Sequence, residues 1–343
     1  MEKSVMEVTT KQLPEFLSDC FQAGLVAYIS SHPGIGKSAI AAQLAEHYKL
    51  KLIDIRLGQC DQTDLNGFPN IINGKATYIP FDTFPLESDP IPEGYEGWLI
   101  FLDEFSSASH SVQAAAYKLL HDKYVGQHRL HKNVAMMGAG NREDSNAIVN
   151  RMTTAVQSRF IHFQLISDIN GWIEWADKNE IDYRWKSFIN YKPALLNNFD
   201  PDHTDHTFSC ARTIEYASKL TKKLETSELD KKLPLIAGTV GEGCAREFIG
   251  FCKIYKDLPT IAQILNSPAT VEISNEPSVK WALSGIISNH ITSDNFPKLM
   301  ALIERLPTEF QVITIRAILR ANPTFESHPV IDKWEDNNSH FFL

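Results

Sequence analysis

S-S-H-P-G-I-G-K-S, residues 30 to 38, decides how this chain is read. An apolar run, Leu25 to Ile29, precedes it, and an alanine-rich helical pattern, Ala39 to His47, follows. A strand, a glycine-rich turn and a helix opening on Lys-Ser form the layout of a phosphate-binding loop. Backbone N–H groups of such a turn face phosphate oxygens, and the positive end of the helix faces the same anion. The binding segment is then Ser31, His32, Pro33, Gly34, Ile35, Gly36, Lys37, Ser38 and Ala39. Lys37 is placed to reach the β- and γ-phosphates, and the Ser38 hydroxyl to ligate Mg²⁺. Ser31 stands where the first glycine of the pattern usually sits; a small residue still permits the turn.

Residues 98 to 105 read W-L-I-F-L-D-E-F, a continuous apolar run that predicts a strand buried on both faces of a parallel sheet. It ends in two carboxylates. Desolvation disfavours both charges unless they hold a cation or do chemistry. Asp103 fits a Mg²⁺ ligand, and Glu104 fits the group that orients and deprotonates an attacking water.

Three further runs read as core strands: 49 to 57 (K-L-K-L-I-D-I-R-L), 133 to 141 (N-V-A-M-M-G-A-G-N) and 160 to 165 (F-I-H-F-Q-L). With Leu25 to Ile29 and Trp98 to Leu102 they predict a five-stranded parallel sheet, its strands separated mostly by helical patterns, with helices on both faces. Ligands of such sheets bind beyond the carboxyl ends of the strands, where Ser31 to Ser38, Asp103, Glu104 and Asn141 converge.

The 343 residues and 43% apolar content suffice for two or three compact units. No secretory leader and no run near the ~20 apolar residues of a membrane span is visible, which places the chain in the cytoplasm. Five scattered cysteines (Cys20, Cys60, Cys210, Cys244, Cys252) lack metal-ligand spacing and read as reduced structural thiols. A net charge of −9 disfavours a surface built for nucleic acid. One basic stretch, Lys118 to Lys132, reads as a hairpin around Gly126, either a solvated turn or a substrate-contacting element. Two Asp-His pairs in P-D-H-T-D-H, residues 201 to 206, match no common metal spacing and read as turn formers.

The phosphate loop, the Asp-Glu strand end, a strand ending in Asn141 and A-V-Q-S-R-F at 155 to 160 together resemble an AAA+ ATPase. The resemblance implies that Asn141 positions the attacking water (sensor 1) and that Arg159 is the arginine finger reaching a neighbouring subunit's site, with Arg151 a weaker candidate. F-S-C-A-R-T-I-E at 208 to 215 is similar to the family's sensor 2 segment and nominates Arg212 for the γ-phosphate.

Within that superfamily the chain resembles the MoxR-type branch. D-Q-T-D-L-N-G-F at 61 to 68, followed by P-N-I-I-N-G-K-A-T-Y-I, is similar to that branch's Asp-Leu-x-Gly element and inserted pore hairpin. Asn73-Gly74 independently signals the tight turn. Residues 106 to 120, with Gln113, Ala114, Tyr117 and Leu120 on a helical period, resemble the branch's next helix. Three regions are expected: a nucleotide-binding α/β core at 1–166, a helical lid at 167–232 and a helical extension at 233–343. Lid residues Ile169, Trp172, Ile173 and Ala176 share one helical face. Extension helices are expected at Ala245 to Tyr255, Val279 to His290, Phe296 to Leu306 and Phe310 to Ala321, punctuated by Pro234, Pro259, Pro277, Pro307 and Pro323.

The resemblance implies a homo-oligomeric, hexameric ring that uses ATP and Mg²⁺ to remodel or assemble a protein client, such as a partner with a von Willebrand factor A domain. Two rival readings stay open: a nucleic-acid motor or loader of the McrB or helicase-loader kind, and a nucleotide-gated scaffold with slow hydrolysis.

Overall fold

The computed structural model describes residues 6–142, 150–203, 205–254 and 258–338. It divides into two compact units, Met1–Asp168 with Phe199–His203, and Ile169–Asn198 with Thr204–Leu343.

The first unit is built on strands β1 (Glu7–Thr9), β2 (Val26–Ser31), β3 (Leu50–Arg56), β4 (Phe68–Ile72), β5 (Lys75–Ile79), β6 (Gly97–Asp103), β7 (Tyr124–Val125), β8 (His128–Arg129), β9 (Val134–Asn141) and β10 (Phe160–Ile166). Six of them form one parallel sheet in the order β1-β10-β2-β9-β6-β3. The expected sheet has five strands, and the sixth is the three-residue β1, which pairs with Gln164–Ile166 at the edge. Three residues are too few to carry a period-two signal, so backbone pairing alone creates this strand.

Helices α1 (Leu13–Gln22) and α2 (Lys37–His47) cover one face of the sheet, and α4 (His110–Asp122) covers the other; the short α3 (Gln62–Asn66) precedes α4 in sequence, and α5 (Thr154–Gln157) follows β9. Alternation along each strand serves both layers. Ala27, Ile29, Leu99, Phe101, Met137 and Ala139 pack with α1 and α2. Val26, Tyr28, Trp98, Ile100, Leu102 and Met136 pack on the α4 side. The apolar run 98 to 102 is thus buried throughout.

Strand β2 extends beyond the expected Leu25 to Ile29, because Ser30 and Ser31 continue the ladder opposite Gly140 and Asn141. Leu25 lies outside it and is half exposed. The β4–β5 hairpin turns at Asn73 (φ 50°) and Gly74 (φ 74°), the left-handed pair that a two-residue hairpin turn requires.

The second unit is helical: α6 (Ile169–Lys178), α7 (Tyr183–Tyr191), α8 (Ala211–Thr221), α9 (Leu233–Val240), α10 (Glu242–Ile254), α11 (Ile261–Asn266), α12 (Pro277–His290), α13 (Phe296–Ile303), α14 (Thr308–Ala321) and α15 (Pro329–Asn338). One hydrophobic core runs from Trp172 to Trp334 and includes Trp185 stacked on Phe248 with ring centroids 3.6 Å apart. Of the expected face Ile169, Trp172, Ile173 and Ala176, the last three are buried in it and Ile169 packs against it partly buried. Pro277 begins a helix, where its missing N–H is not needed. Helix α10 is described to Ile254; the expected end at Tyr255 lies outside the described residues.

Candidate functional site at the carboxyl edge of the sheet

Parallel register brings the ends of β2, β9, β6 and β3 to one edge. Ser31 pairs with Asn141, and Arg56 with Asp103. Beyond β2 the chain turns through Gly34 (φ 78°) and Gly36 (φ 114°) into α2. Gly36 is the N-cap, and no side chain caps the helix. Its φ lies where L side chains are strained, so glycine is needed for backbone reasons, since a β-carbon there would meet no atom within 4 Å. The first-turn N–H groups of α2 have no intrahelical partner, which makes this terminus a donor set for an anion.

Lys37 is the first residue of α2. Its Nζ donates to Ser31 Oγ at 2.9 Å and to Asn141 Oδ1 at 3.3 Å. The fully buried Ser31 hydroxyl in turn donates to the His32 carbonyl at 2.8 Å. Ser31 is therefore more than a permissive small residue: it accepts the lysine whose charge the loop presents. His32 packs on the Phe199 ring with centroids 5.2 Å apart. Ile35 is buried in the core and anchors the turn.

Ser38 Oγ donates to Asp103 Oδ2 at 3.1 Å. This hydroxyl–carboxylate pair is an oxygen donor set of the kind Mg²⁺ takes, so the residues present fit that ion. Glu104 follows in the left-handed region (φ 54°), an unusual conformation for a non-glycine residue, and its N–H donates to Asp103 Oδ1 at 2.8 Å. The Asn141 N–H donates to Ser106 Oγ at 3.0 Å, which ties the end of β9 to the turn after β6.

Sequence reading missed Asp54 and Arg56 on β3 and Ser106 after β6. Burial, reinforced by the like charge of Asp103, pushes the Asp54 carboxyl above its ordinary range; Arg56 opposes this and Glu104 adds to it. Only the pairing of β3 with β6 brings these groups together, and no spacing in the sequence reports it.

Arg159 lies between α5 and β10 in the same unit. Its Nη1 donates to the Ala155 carbonyl at 2.7 Å and to Ser158 Oγ at 3.1 Å, and its Nη2 to the Tyr117 hydroxyl. Arg151 is exposed and has no ion pair among the described residues. Arg212 belongs to the helical unit, exposed in the first turn of α8.

The basic stretch is partly committed. Lys118 donates to the Gly126 carbonyl, and Arg129 pairs with Glu87 at 3.7 Å. The two hairpins are joined by Thr77 Oγ1 to Gln127 Oε1 at 3.3 Å and His128 Nε2 to the Tyr78 carbonyl at 3.1 Å. On the β4–β5 hairpin Phe68, Ile71, Ile72, Tyr78 and Ile79 are exposed.

Burial raises the Cys244 thiol to about 11. Among the described residues no three or more His, Cys, Asp or Glu cluster in a way that could hold a metal, and no helix is long and apolar enough to cross a membrane. Thr204, in the 201 to 206 segment, lies outside the described residues.

Residues 32–160 match the family model of the AAA domain, dynein-related subfamily. The sheet, the phosphate loop and the helical part that follows make this an AAA+ P-loop NTPase fold. Among solved structures, a mutant of Thermotoga maritima RuvB is 13% identical, covers 84% of this chain and 85% of its own, and has a TM-score of 0.40. Thermotoga maritima RuvB described as a Holliday junction branch migration motor is 12% identical over 85% of this chain and 87% of its own, with a TM-score of 0.38. No curated protein matches the chain.

Proposed function

We propose that this chain is a Mg²⁺-dependent ATP hydrolase of the MoxR type, which works as a cytoplasmic homo-oligomeric ring, a hexamer by resemblance, and couples hydrolysis to remodelling or assembling a protein partner. The observation that carries the reading is the meeting of Lys37, Ser38, Asp103, Glu104 and Asn141 at one edge of the sheet.

Each residue has a role in it. Lys37 and the first-turn N–H groups of α2 bind the phosphates, and Lys37 neutralises charge on the transferred group. Ser38 and Asp103 hold Mg²⁺, which when bound neutralises phosphate oxygens. Glu104 takes the proton of the attacking water, and Asn141 orients that water. Arg159 completes the site of the next subunit. A site shared in this way makes nucleotide state and ring geometry depend on each other.

A protein client, such as one with a von Willebrand factor A domain, is favoured by the β4–β5 hairpin. Its exposed residues are mostly apolar, and Lys75 is its one charged residue. Gripping a phosphate backbone needs many cations. Stimulation of turnover by duplex DNA, weakening with salt, would instead favour the nucleic-acid reading, and turnover too slow to measure would favour the scaffold.

Lys37→Ala tests the assignment. Removing the charge opposite the β- and γ-phosphates should abolish ATP binding by calorimetry and nucleotide-dependent assembly by light scattering. Micromolar affinity in that variant would overturn it.

A further inference from the structure

Arg159 is held in an unusual way for a half-buried guanidinium. Its carbon sits 4.0 Å from the centroid of the Tyr117 ring, on α4, and its Nη2 donates to the hydroxyl of the same tyrosine. The remaining acceptors, the Ala155 carbonyl and Ser158 Oγ, are also uncharged. Its Nε is buried and has no partner among the described residues. No carboxylate there pairs with it.

From this geometry we propose that Tyr117 is a positioning residue that latches Arg159 against its own subunit and releases it when an anionic oxygen is presented. The inference rests on the reading of Arg159 as the group that completes a neighbour's nucleotide site. An anion outcompetes neutral oxygens for a guanidinium, because it adds Coulomb attraction and fits the planar fork at two points. A carboxylate latch would hold the arginine too tightly to surrender it. A tyrosine supplies one hydroxyl and a ring face, enough to park the side chain in one pose. The unpartnered Nε leaves one donor still to be satisfied, and a phosphate can satisfy it. The latch therefore costs the assembled enzyme some fraction of its engaged arginines.

Tyr117→Phe keeps the ring and removes the hydroxyl. In the full chain at saturating ATP, turnover should rise roughly tenfold to a hundredfold, the range expected for loss of one hydrogen bond to a charged group, with KM for ATP unchanged. Arg159→Ala alone should be slow, and Tyr117→Phe/Arg159→Ala should be no faster than Arg159→Ala. Ser158→Ala removes a second acceptor at an exposed position and should raise turnover by a smaller factor.

A Tyr117→Phe rate at or below that of the unaltered protein overturns the latch, as does an equal gain in the Arg159→Ala background. If Tyr117→Phe does not fold, an unchanged Ser158→Ala rate overturns it. An Arg159→Ala enzyme of full activity sinks the arginine reading and the latch together. A slow Arg159→Ala with no gain from Tyr117→Phe sinks the latch alone.

Discussion

Two arginines, one in each compact unit, show how differently this chain treats a cation. Arg184, in the helical unit, has every nitrogen occupied. Nε donates to both Asp182 oxygens at 3.2 and 3.0 Å, Nη1 to the Leu224 carbonyl at 2.9 Å, and Nη2 to Asp182 Oδ2 at 2.7 Å and the Thr221 carbonyl at 2.6 Å. Both side chains of the pair are nearly fully buried. Burial alone would lower the Arg184 pKa, yet the Asp182 carboxylate outweighs it and holds the value above normal. Arg159, in the α/β unit, has only neutral acceptors and one idle nitrogen. A cation with its countercharge and full hydrogen bonding holds a fold together; one without them is left with binding capacity to use.

The largest effects should separate the two arginines. Arg159→Ala should lower ATP hydrolysis by ~10³-fold or more, as loss of an arginine finger does, while stability in urea falls by about 1 kcal/mol or less. Arg184→Ala strands the buried Asp182 charge and should cost about 3–5 kcal/mol of stability. If Arg159→Ala unfolds the protein and Arg184→Ala does not, the contrast is reversed. Mixing Arg159→Ala with Glu104→Gln subunits sharpens it further. Some interfaces would then join an intact Glu104 to an intact Arg159, so activity should exceed that of either variant alone. Absence of recovery, with subunit exchange shown by fluorescence, would rule out a shared site for Arg159 and turn attention to Arg151.

Glu104→Gln is next in size. It keeps the side chain's shape and removes its basicity, so hydrolysis should fall by ~10²-fold while ATP still binds. Unchanged turnover in a stopped assay would assign water activation to another group. Ser31→Gly restores the usual loop glycine but takes an acceptor from Lys37. ATP affinity should weaken roughly threefold to tenfold, measured by calorimetry. Equal affinity would make the hydroxyl a bystander.

The smallest effect belongs to Asp54. Its folded pKa is raised, so the folded state holds this proton more tightly than the unfolded chain. The destabilisation is therefore absent below the ordinary aspartate range, grows as pH rises through it, and is complete above the raised value. Asp54→Asn should raise the melting temperature slightly at neutral pH, and the gain should vanish in acid. A gain independent of pH would point to packing instead of charge.

Much of the site was legible in one dimension because its parts are local. A left-handed glycine, a helix start and a lysine at fixed offsets need only about nine residues, and Trp98 to Glu104 declares a buried strand with acids at its end. Burial on both faces erases alternation and leaves a continuous apolar run, which is why β6 stands out. The helical unit also announced itself, since the face of Trp172, Ile173 and Ala176 repeats with the helical period.

Sequence by itself thus determined the phosphate loop, the parallel α/β class and the helical part, all of which rest on short-range stereochemistry and periodic burial. Tertiary structure alone decided that Glu7–Thr9 adds a sixth strand, that Asp54 and Arg56 lie beside Asp103 and Glu104, that Ser31 receives Lys37, and that Tyr117 holds Arg159 from 42 residues away. These contacts depend on strand order and on where α4 lies against the sheet, and nothing in the local chemistry of either partner specifies the other.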